Sequence, residues 1–340
     1  MKKRLSIGFL VVTLISGVVA KEQKVDSSAA MSSKKSAIVY TIAGNAEAKY
    51  NEMIEKELKP LGFLTPDPRK GVNKVYQQKY GSTTLDALSF MTIVDKKAIK
   101  PLLNVDPTIA GFNPFNLLIY KHKNVNETII SHFTPEVVFE MLGTTNQEVK
   151  DGYIASMKKL DEVIVKTFPN AKISYKMYEQ KAADTMMNFE YDFERPEDLD
   201  DFVDEIQEKI EDSFVEKGYI MAGYFNFKET FDGSKLLPQM DAFWTYSLCH
   251  FKYSYTIFDN AGARPEAAVF APCTMYMYIQ KGTNKLVMGM PRLQNWVSLF
   301  NITDKKRLEF NQKLDKEIAE IIVGLGAKEV DATPYTPIKL

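Results

Sequence analysis

The chain has 340 residues, of which 45% are hydrophobic and 26% are charged, with a formal net charge of -1 at pH 7. This composition is typical of a folded protein of about two domains, and it excludes the basic surface by which proteins bind nucleic acid or acidic lipid. Two cysteines are too few for a scaffold held together by disulfides.

Residues 1–20 have the layout of a secretory signal peptide. Basic residues at positions 2–4 precede an apolar run over 5–19, and Ala20 ends a stretch of small residues. The run is short for a membrane span, so we expect cleavage after Ala20. Residues 21–35 are rich in Ser, Lys and Ala and are expected to form a flexible tether. The sequence therefore predicts a periplasmic or secreted protein that has no membrane anchor after cleavage.

The rest of the chain alternates short apolar runs with amphipathic helical patterns. Its first part predicts strands over 37–42, near 63, and over 72–80 and 85–94, helices over 46–61, 98–103, 135–142 and 146–168, and a hairpin over 116–121 and 128–133. Its second part predicts strands over 185–193, 219–227 and 243–248, helices over 196–217 and 304–325, and a hairpin over 273–290. Helices segregated against a mostly antiparallel sheet make this an α+β fold.

The two parts are related by an internal repeat. Several residues of the first part have an identical residue 158 positions later in the second, among them Pro107, Phe112, Pro114, Tyr120, Lys123 and Asn126. A duplicated ancestral domain explains this register, so we predict a first repeat over 36–170 and a second over 171–340. We expect the two repeats to pair with each other, with a homodimer as a further arrangement.

The hairpin of the second repeat carries four methionines at two-residue spacing. A turn at Gly282 places these methionines opposite one another in pairs, Met277 with Met288 and Met275 with Met290. They then share one face of the sheet with Cys273, and the intervening tyrosines point to the other face.

Three segments of the second repeat together carry a family resemblance: Ser247-Leu248-Cys249-His250, residues 265–273 ending in Pro272-Cys273, and residues 286–291. On these segments the repeat resembles the domain-of-unknown-function 302 family. Members carry a cysteine at the end of one strand, a Pro-Cys pair entering the next, and a short strand that ends in a small residue and Met. Cys249, Cys273 and Met290 occupy these positions.

The resemblance implies two tandem copies of a TATA-binding-protein-like domain, in which helices pack on one face of an antiparallel sheet. It implies no established reaction. The first copy is degenerate, because Met91, Phe115 and His132 stand where the second has Cys249, Cys273 and Met290.

One set of soft donor atoms is the candidate ligand-binding site: Cys249, His250, Cys273, Met275, Met277, Met288 and Met290. Thiolate, thioether and imidazole suit Cu(I) or haem iron, so Cys249, His250 and Cys273 are the candidate metal ligands, although no cofactor is predicted. The competing interpretation is core packing, because the first repeat has apolar residues at three of the four methionine positions.

The two cysteines leave three states open. Cys249 and Cys273 could form a disulfide, remain buried and reduced, or act as a redox-active pair. The adjacent His250 is the sequence feature that favours an activated thiol.

No dinucleotide-binding, phosphate-loop, zinc-protease or nucleophile-elbow motif is present, and no catalytic residue is predicted. We therefore expect an exported, non-catalytic protein that binds a small apolar ligand or a protein partner through the Cys/Met/Tyr-lined second repeat. The alternatives are a thiol- or metal-dependent redox protein that uses Cys249 and Cys273, and a purely structural dimerisation module.

Overall fold

A computed structural model describes residues 34–179, 182–231, 237–260, 262–271, 273–332 and 335–337. The predicted signal peptide and nearly all of the predicted tether lie outside these ranges.

The first half of the chain begins and ends with strands that pair with each other. Its strands are β1 (Lys34–Ala43), β2 (Phe63–Leu64), β3 (Leu85–Asp95), β4 (Phe115–His122), β5 (Glu127–Phe133) and β6 (Lys172–Tyr178). Its helices are α1 (Glu47–Met53), which continues to Leu61 as a π turn and a 3-10 turn, α2 (Val72–Tyr80), α3 (Lys96–Val105), α4 (Pro135–Leu142) and α5 (Gln147–Thr167). A 3-10 segment, Pro107–Phe112, precedes β4.

The second half repeats this order of elements. Its strands are β7 (Met186–Asp192), β8 (Ile220–Asn226), β9 (Met240–Cys249), β10 (Cys273–Gln280), β11 (Lys285–Pro291) and β12 (Lys328–Val330). Its helices are α6 (Leu199–Glu216), α7 (Phe227–Thr230), α8 (Phe251–Phe258), α9 (Gln294–Leu299) and α10 (Lys305–Gly324). Its 3-10 segment, Pro265–Phe270, precedes β10.

Each half builds a six-stranded sheet, and the two sheets have the same topology. The strand order is β2-β3-β4-β5-β1-β6 in the first and β8-β9-β10-β11-β7-β12 in the second. The strand pairings in both sheets are antiparallel. The predicted α+β fold class is therefore confirmed, and the shared strand order is what two copies of one domain would have.

The long helices cover one face of each sheet because their apolar residues recur every three or four positions. In α5 the buried stripe includes Val149, Tyr153, Leu160 and Ile164. This spacing puts the side chains on one side of the helix, where they face the sheet and form the core.

Residues 72–80, predicted as a strand, instead form helix α2, so that prediction was wrong. Val and Tyr are frequent in strands, but Val72, Tyr76 and Tyr80 follow one another at four-residue spacing, which is helical. Val72 and Tyr76 are buried on that face. Gly71 and Gly81 bound the helix in left-handed conformations, with φ of 65° and 75°.

Two element boundaries also differ from the sequence expectation. Helix α6 begins at Leu199 with Asp198 as its N-cap, so Pro196 precedes the helix rather than starting it. Strand β6 pairs with β1 in the first sheet, although residues from 171 onward were assigned to the second repeat. The recognisable repeat ends in the preceding helix, and β6 is mostly exposed, so no sequence signal tied it to the first sheet.

The 3-10 segment of each half packs against the sheet of the other half, and we call this contact region the seam. Pro107–Phe112 lies against β10 and β11, and Pro265–Phe270 lies against β4 and β5. Phe133 and Phe270 meet edge to face with their ring centroids 4.5 Å apart. The Asn116 amide donates a 2.7 Å hydrogen bond to the Ala268 carbonyl. The central strands of each sheet are therefore in contact with the 3-10 segment of the other half.

Polar and aromatic contacts of α2 and α8 extend this seam. Tyr80 stacks on Tyr255 with ring centroids 4.3 Å apart. The buried carboxylate of Asp259 accepts hydrogen bonds from the Thr84 backbone N–H (2.6 Å), the Thr84 hydroxyl (2.7 Å) and the Thr83 hydroxyl (2.5 Å). The described residues thus form one compact unit.

Among the described residues, no helix combines the length and apolar character that are needed to cross a lipid bilayer.

Candidate functional site

Cys249 and Cys273 lie on neighbouring strands but on opposite faces of the second sheet. Cys249 ends β9, Cys273 begins β10, and the register pairs Cys273 with Leu248. Because side chains alternate along a strand, Cys249 leaves β9 on the face opposite to Leu248 and Cys273. Both cysteines are free, so the disulfide left open by the sequence is not formed.

Burial raises the pKa of both thiols. The pKa of Cys249 rises to about 11, although the Ser254 hydroxyl and the charges of Arg69 and Lys79 act in the opposite direction. Burial, the neighbouring Cys249 thiol and the Asp315 carboxylate raise the pKa of Cys273. A thiol with a raised pKa is protonated at neutral pH, which makes both cysteines poor nucleophiles.

His250 caps helix α8 rather than pointing into a ligand site. Its Nδ1 accepts a 3.2 Å hydrogen bond from the Tyr253 backbone N–H, so the neutral ring carries its proton on Nε2. The ring meets Tyr219 and Phe310 edge to face. Burial lowers the pKa of His250, which favours this neutral form.

The four methionines of the hairpin belong to the hydrophobic core. Met275, Met277, Met288 and Met290 are each 2% exposed or less. The predicted pairing of Met277 with Met288 is confirmed by the strand register. Their placement corresponds to the core-packing interpretation, in which methionine fills irregular gaps between helices and sheet.

The candidate metal ligands Cys249, His250 and Cys273 are not arranged as a metal centre. The two sulfur atoms leave the sheet on opposite faces, and one His250 nitrogen is occupied by the helix cap. Across the described ranges, no three His, Cys, Asp or Glu side chains are grouped so that they could hold a metal ion.

Cys273 adjoins a void of about 20 Å³ that also touches Thr274 and Trp296. A void of this size holds about one water molecule. It has no room for a larger ligand.

Cys249, in contrast, lines an open cleft of about 330 Å³ at the seam, which we call the Cys249 cleft. Both halves of the chain contribute to its lining: Pro68, Arg69, Lys70, Val72, Val75, Phe90, Ile220, Ala222, Cys249 and Phe251. This volume lies at the lower end of the roughly 300–1,000 Å³ range of small-molecule sites. The residues from the first half were missed from sequence because no sequence pattern related them to Cys249, and residues 72–80 were predicted as a strand.

Basic groups stand at the rim of the Cys249 cleft. The Arg69 guanidinium is held by a 2.8 Å hydrogen bond from its Nε to the Ala222 carbonyl. Lys70 is exposed, and the Lys79 ammonium lies 4.9 Å from the centre of the Phe251 ring. None of the described residues that line this cleft is acidic. The cleft therefore combines an apolar floor with a positively charged edge.

Comparisons with known proteins assign no function. No protein-family model matches the chain, and no curated protein matches it. Among solved structures, the chain is similar to the crystal structure of an uncharacterized conserved DUF302 protein from Bacillus stearothermophilus. The two are 18% identical, the alignment covers 40% of this chain and 95% of the other, and the TM-score is 0.32. A likeness of this extent does not establish the family.

Proposed function

We propose that the protein is a non-catalytic binding protein that holds a small amphipathic anion in the Cys249 cleft. The observation that carries this proposal is the cleft itself, about 330 Å³ of space lined by apolar side chains from both halves. The apolar body of the ligand lies against Val72, Phe90 and Ile220, and its acidic group faces Lys70 and Lys79.

The affinity of such a ligand follows from the apolar surface that it buries. A molecule that buries about 200 Å² of apolar surface gains roughly 5 kcal/mol at about 25 cal/mol per Å². The loss of translational freedom offsets part of this gain, and the attraction of the basic rim adds to it. We therefore expect a Kd between roughly 1 µM and 1 mM.

Thiol chemistry plays no part in the proposed function. The raised pKa of Cys249, about 11, keeps its sulfur protonated, so the cysteine contributes polarizable apolar surface to the cleft.

The binding test uses the fluorescent amphipathic anion 1-anilinonaphthalene-8-sulfonate, with decanoate as a competitor. Val75, on α2, lines the cleft and is partly exposed, so Val75→Trp fills the cleft at little expense to the core. The matched control is Val165→Trp on α5, at a similarly exposed position outside the cleft. We expect one probe molecule to bind per chain and to be displaced by decanoate. Probe binding should be at least tenfold weaker in Val75→Trp and unchanged in Val165→Trp.

Charge is tested separately with Lys70→Glu and, as its control, Lys158→Glu on the exposed surface of α5. Reversal of one rim charge should weaken probe binding several-fold at low salt, because exposed charges are screened as ionic strength rises. Equal affinities of Val75→Trp and Val165→Trp for the probe would refute the assignment of the site. Equal effects of the two lysine variants would refute the role of the rim.

We also propose that the chain is exported, which is supported by the signal-peptide layout of residues 1–20. Expression in a Gram-negative host should yield a periplasmic protein that begins at Lys21, as read by N-terminal sequencing. A cytoplasmic product that keeps residues 1–20 would contradict this proposal.

A further inference from the structure

Strand β6 (Lys172–Tyr178) stands at one edge of the first sheet and exposes apolar side chains there. Ile173, Tyr175 and Met177 are 49%, 42% and 41% exposed. Because side chains alternate along a strand, these three residues lie in a row on one face of the sheet, which we call the β6 stripe. None of the described residues that line the Cys249 cleft belongs to β6, so the stripe is separate from the proposed ligand site.

The other three sheet edges are short or covered. Strand β2 has two residues and β12 has three. Strand β8 is as long as β6, but a segment of the first half covers its edge. The Asp67 carboxylate accepts a 3.0 Å hydrogen bond from the Tyr224 backbone N–H, and Arg69 donates to the Ala222 carbonyl. Within the described chain, β6 is therefore the edge that is both long and unpaired, which is the usual template for pairing with another strand.

The backbone groups at the outer edge of β6 belong to the same residues as the stripe. The Gly44 N–H at the end of β1 donates a 2.9 Å hydrogen bond to the Asn126 carbonyl, so even-numbered residues of β1 face β5. Odd-numbered residues of β1 then face β6, because successive residues of a strand direct their N–H and C=O groups to alternate sides. Their register partners on β6 are Lys172, Ser174 and Lys176. The backbone groups of Ile173, Tyr175 and Met177 therefore point outward.

We infer that β6 pairs with the β6 strand of a second copy of this chain, antiparallel and centred on Tyr175. In this register the N–H and C=O groups of Tyr175 bond to those of the partner's Tyr175, and Ile173 faces the partner's Met177. The outward residues are evenly spaced about Tyr175, so one twofold axis satisfies all of them. The two first sheets then form one continuous antiparallel sheet, and the two β6 stripes lie side by side.

The charges of β6 are compatible with this register. Lys172 faces the partner's Tyr178, and Lys176 faces the partner's Ser174, so no lysine of one β6 strand stands opposite a lysine of the other. Lys176 is in addition paired with Glu266 of its own chain at 3.1 Å. An apolar pair at each stripe position and the absence of opposed like charges favour a second copy over a partner of different sequence.

The interface is small, so the dimer is weak. Hydrogen-bonded pairs along one strand edge bury less than the ~800 Å² per partner of a standard stable interface. We therefore expect a dimer Kd on the order of 10–100 µM.

The test is sedimentation equilibrium of the chain that begins at Lys21, which retains every described residue. Its mass should rise from that of a monomer towards that of a dimer between about 1 µM and 500 µM. Two charged variants test the surface, Ile173→Glu/Met177→Glu and Ile173→Lys/Met177→Lys. Alone, each places like charges opposite each other at both stripe pairs, so its dimer should be at least tenfold weaker. An equimolar mixture of the two places opposite charges there and should dimerise again.

The matched control is Ile154→Glu/Val165→Glu on α5, where both side chains are 42% exposed. It should dimerise as the wild type does. Tyr175→Pro tests the backbone separately. Its missing N–H is one that β1 does not use, and proline is tolerated on an edge strand where the N–H faces outward. This variant should keep the fold, as measured by circular dichroism, and form a dimer at least tenfold weaker.

Four results would overturn the inference. One is a wild-type chain that stays monomeric at about 1 mM, some tenfold above the expected Kd. A second is a mixture of the two charged variants that stays monomeric, which would show that the two stripes do not face each other. A third is wild-type dimerisation of Tyr175→Pro, which would exclude strand pairing at this edge. The fourth is an equal loss of the dimer in Ile154→Glu/Val165→Glu, which would place the interface elsewhere.

Discussion

The thiol of Cys249 should react with a disulfide reagent far more slowly than an unperturbed cysteine, although it lines an open cleft. The pKa of this thiol is about 11, because burial outweighs the opposing effects of Ser254, Arg69 and Lys79. The thiolate is the reactive species, so the rate depends on how much of it is present.

The size of the effect follows from two opposing factors. At pH 8 a thiol with an ordinary pKa near 8.5 is about one-quarter ionised, whereas one with a pKa of about 11 is ionised to roughly one part in a thousand. The thiolate population is therefore about 240-fold smaller. The Brønsted coefficient of about 0.4–0.5 makes each of these more basic thiolates roughly 13-fold more reactive. Cys249 should therefore react about 20-fold more slowly than glutathione. Any steric restriction of the reagent's access to the thiol would slow the reaction further.

The assay measures the absorbance released by 5,5′-dithiobis(2-nitrobenzoate), with glutathione as the reference. Cys273→Ser leaves Cys249 as the only thiol, and Cys249→Ser reports Cys273 alone. The Cys249 rate should rise about tenfold per pH unit between pH 8 and 10, whereas the glutathione rate levels off above its pKa. A Cys249 rate within about threefold of glutathione at pH 8, or one that levels off near pH 8.5, would refute this reasoning and favour the redox interpretation.

Three further predictions concern stability, measured by urea unfolding. Asp259→Ala should lower the free energy of unfolding by about 2–4 kcal/mol, because it leaves the hydrogen-bond donors of Thr84 unpaired at the seam. Asp201→Ala, at an exposed position, is the control and should change the free energy of unfolding by less than about 0.5 kcal/mol. Similar losses in both variants would contradict this prediction. If the Met277 side chain only fills the core, Met277→Ala should lower the free energy of unfolding by about 2–5 kcal/mol and Met277→Leu by less than about 1.5 kcal/mol. A Leu variant that loses as much stability as the Ala variant would indicate a role of the thioether itself. The raised pKa of Cys249 contributes stability that is complete below the unfolded thiol pKa and is lost as the pH rises towards about 11. Between pH 8.5 and 10 the unfolding free energy of the wild type should therefore fall more steeply than that of Cys249→Ala, by at most about 1.4 kcal/mol per pH unit, and parallel curves would contradict the shift.

Local sequence patterns were enough to predict the methionine hairpin and the long helices. Alternation of Met and Tyr around a turn at Gly282 predicted that Met277 faces Met288, because side-chain alternation and turn length together determine a hairpin register. Apolar residues at three- and four-residue spacing predicted α5 and α10, and the 158-residue internal register predicted two related sheets. These signals are readable because the residues that make each contact are close in sequence or are repeated.

The candidate site was harder to predict because it depends on contacts between distant segments. Cys249 was selected from sequence, but the side chains around it come from distant segments, among them Val72 and Val75 of α2, a segment that was predicted as a strand. The sequence placed the methionines at a ligand site, whereas the packing of helices on that face of the sheet buries them in the core. A methionine in a row of apolar residues carries no local signal that distinguishes these two roles.

The sequence by itself determined the α+β class, the expectation of two similar sheets and the pairing of Met277 with Met288, since periodicity and repeat spacing are properties of the chain. Only the tertiary structure decided that Cys249 and Cys273 face opposite ways, and that a cleft opens where α2 meets the edge of the second sheet. The physical reason is that burial, cavities and thiol pKa arise from segments that meet only when the two halves pack together, and no local pattern encodes the space left between them.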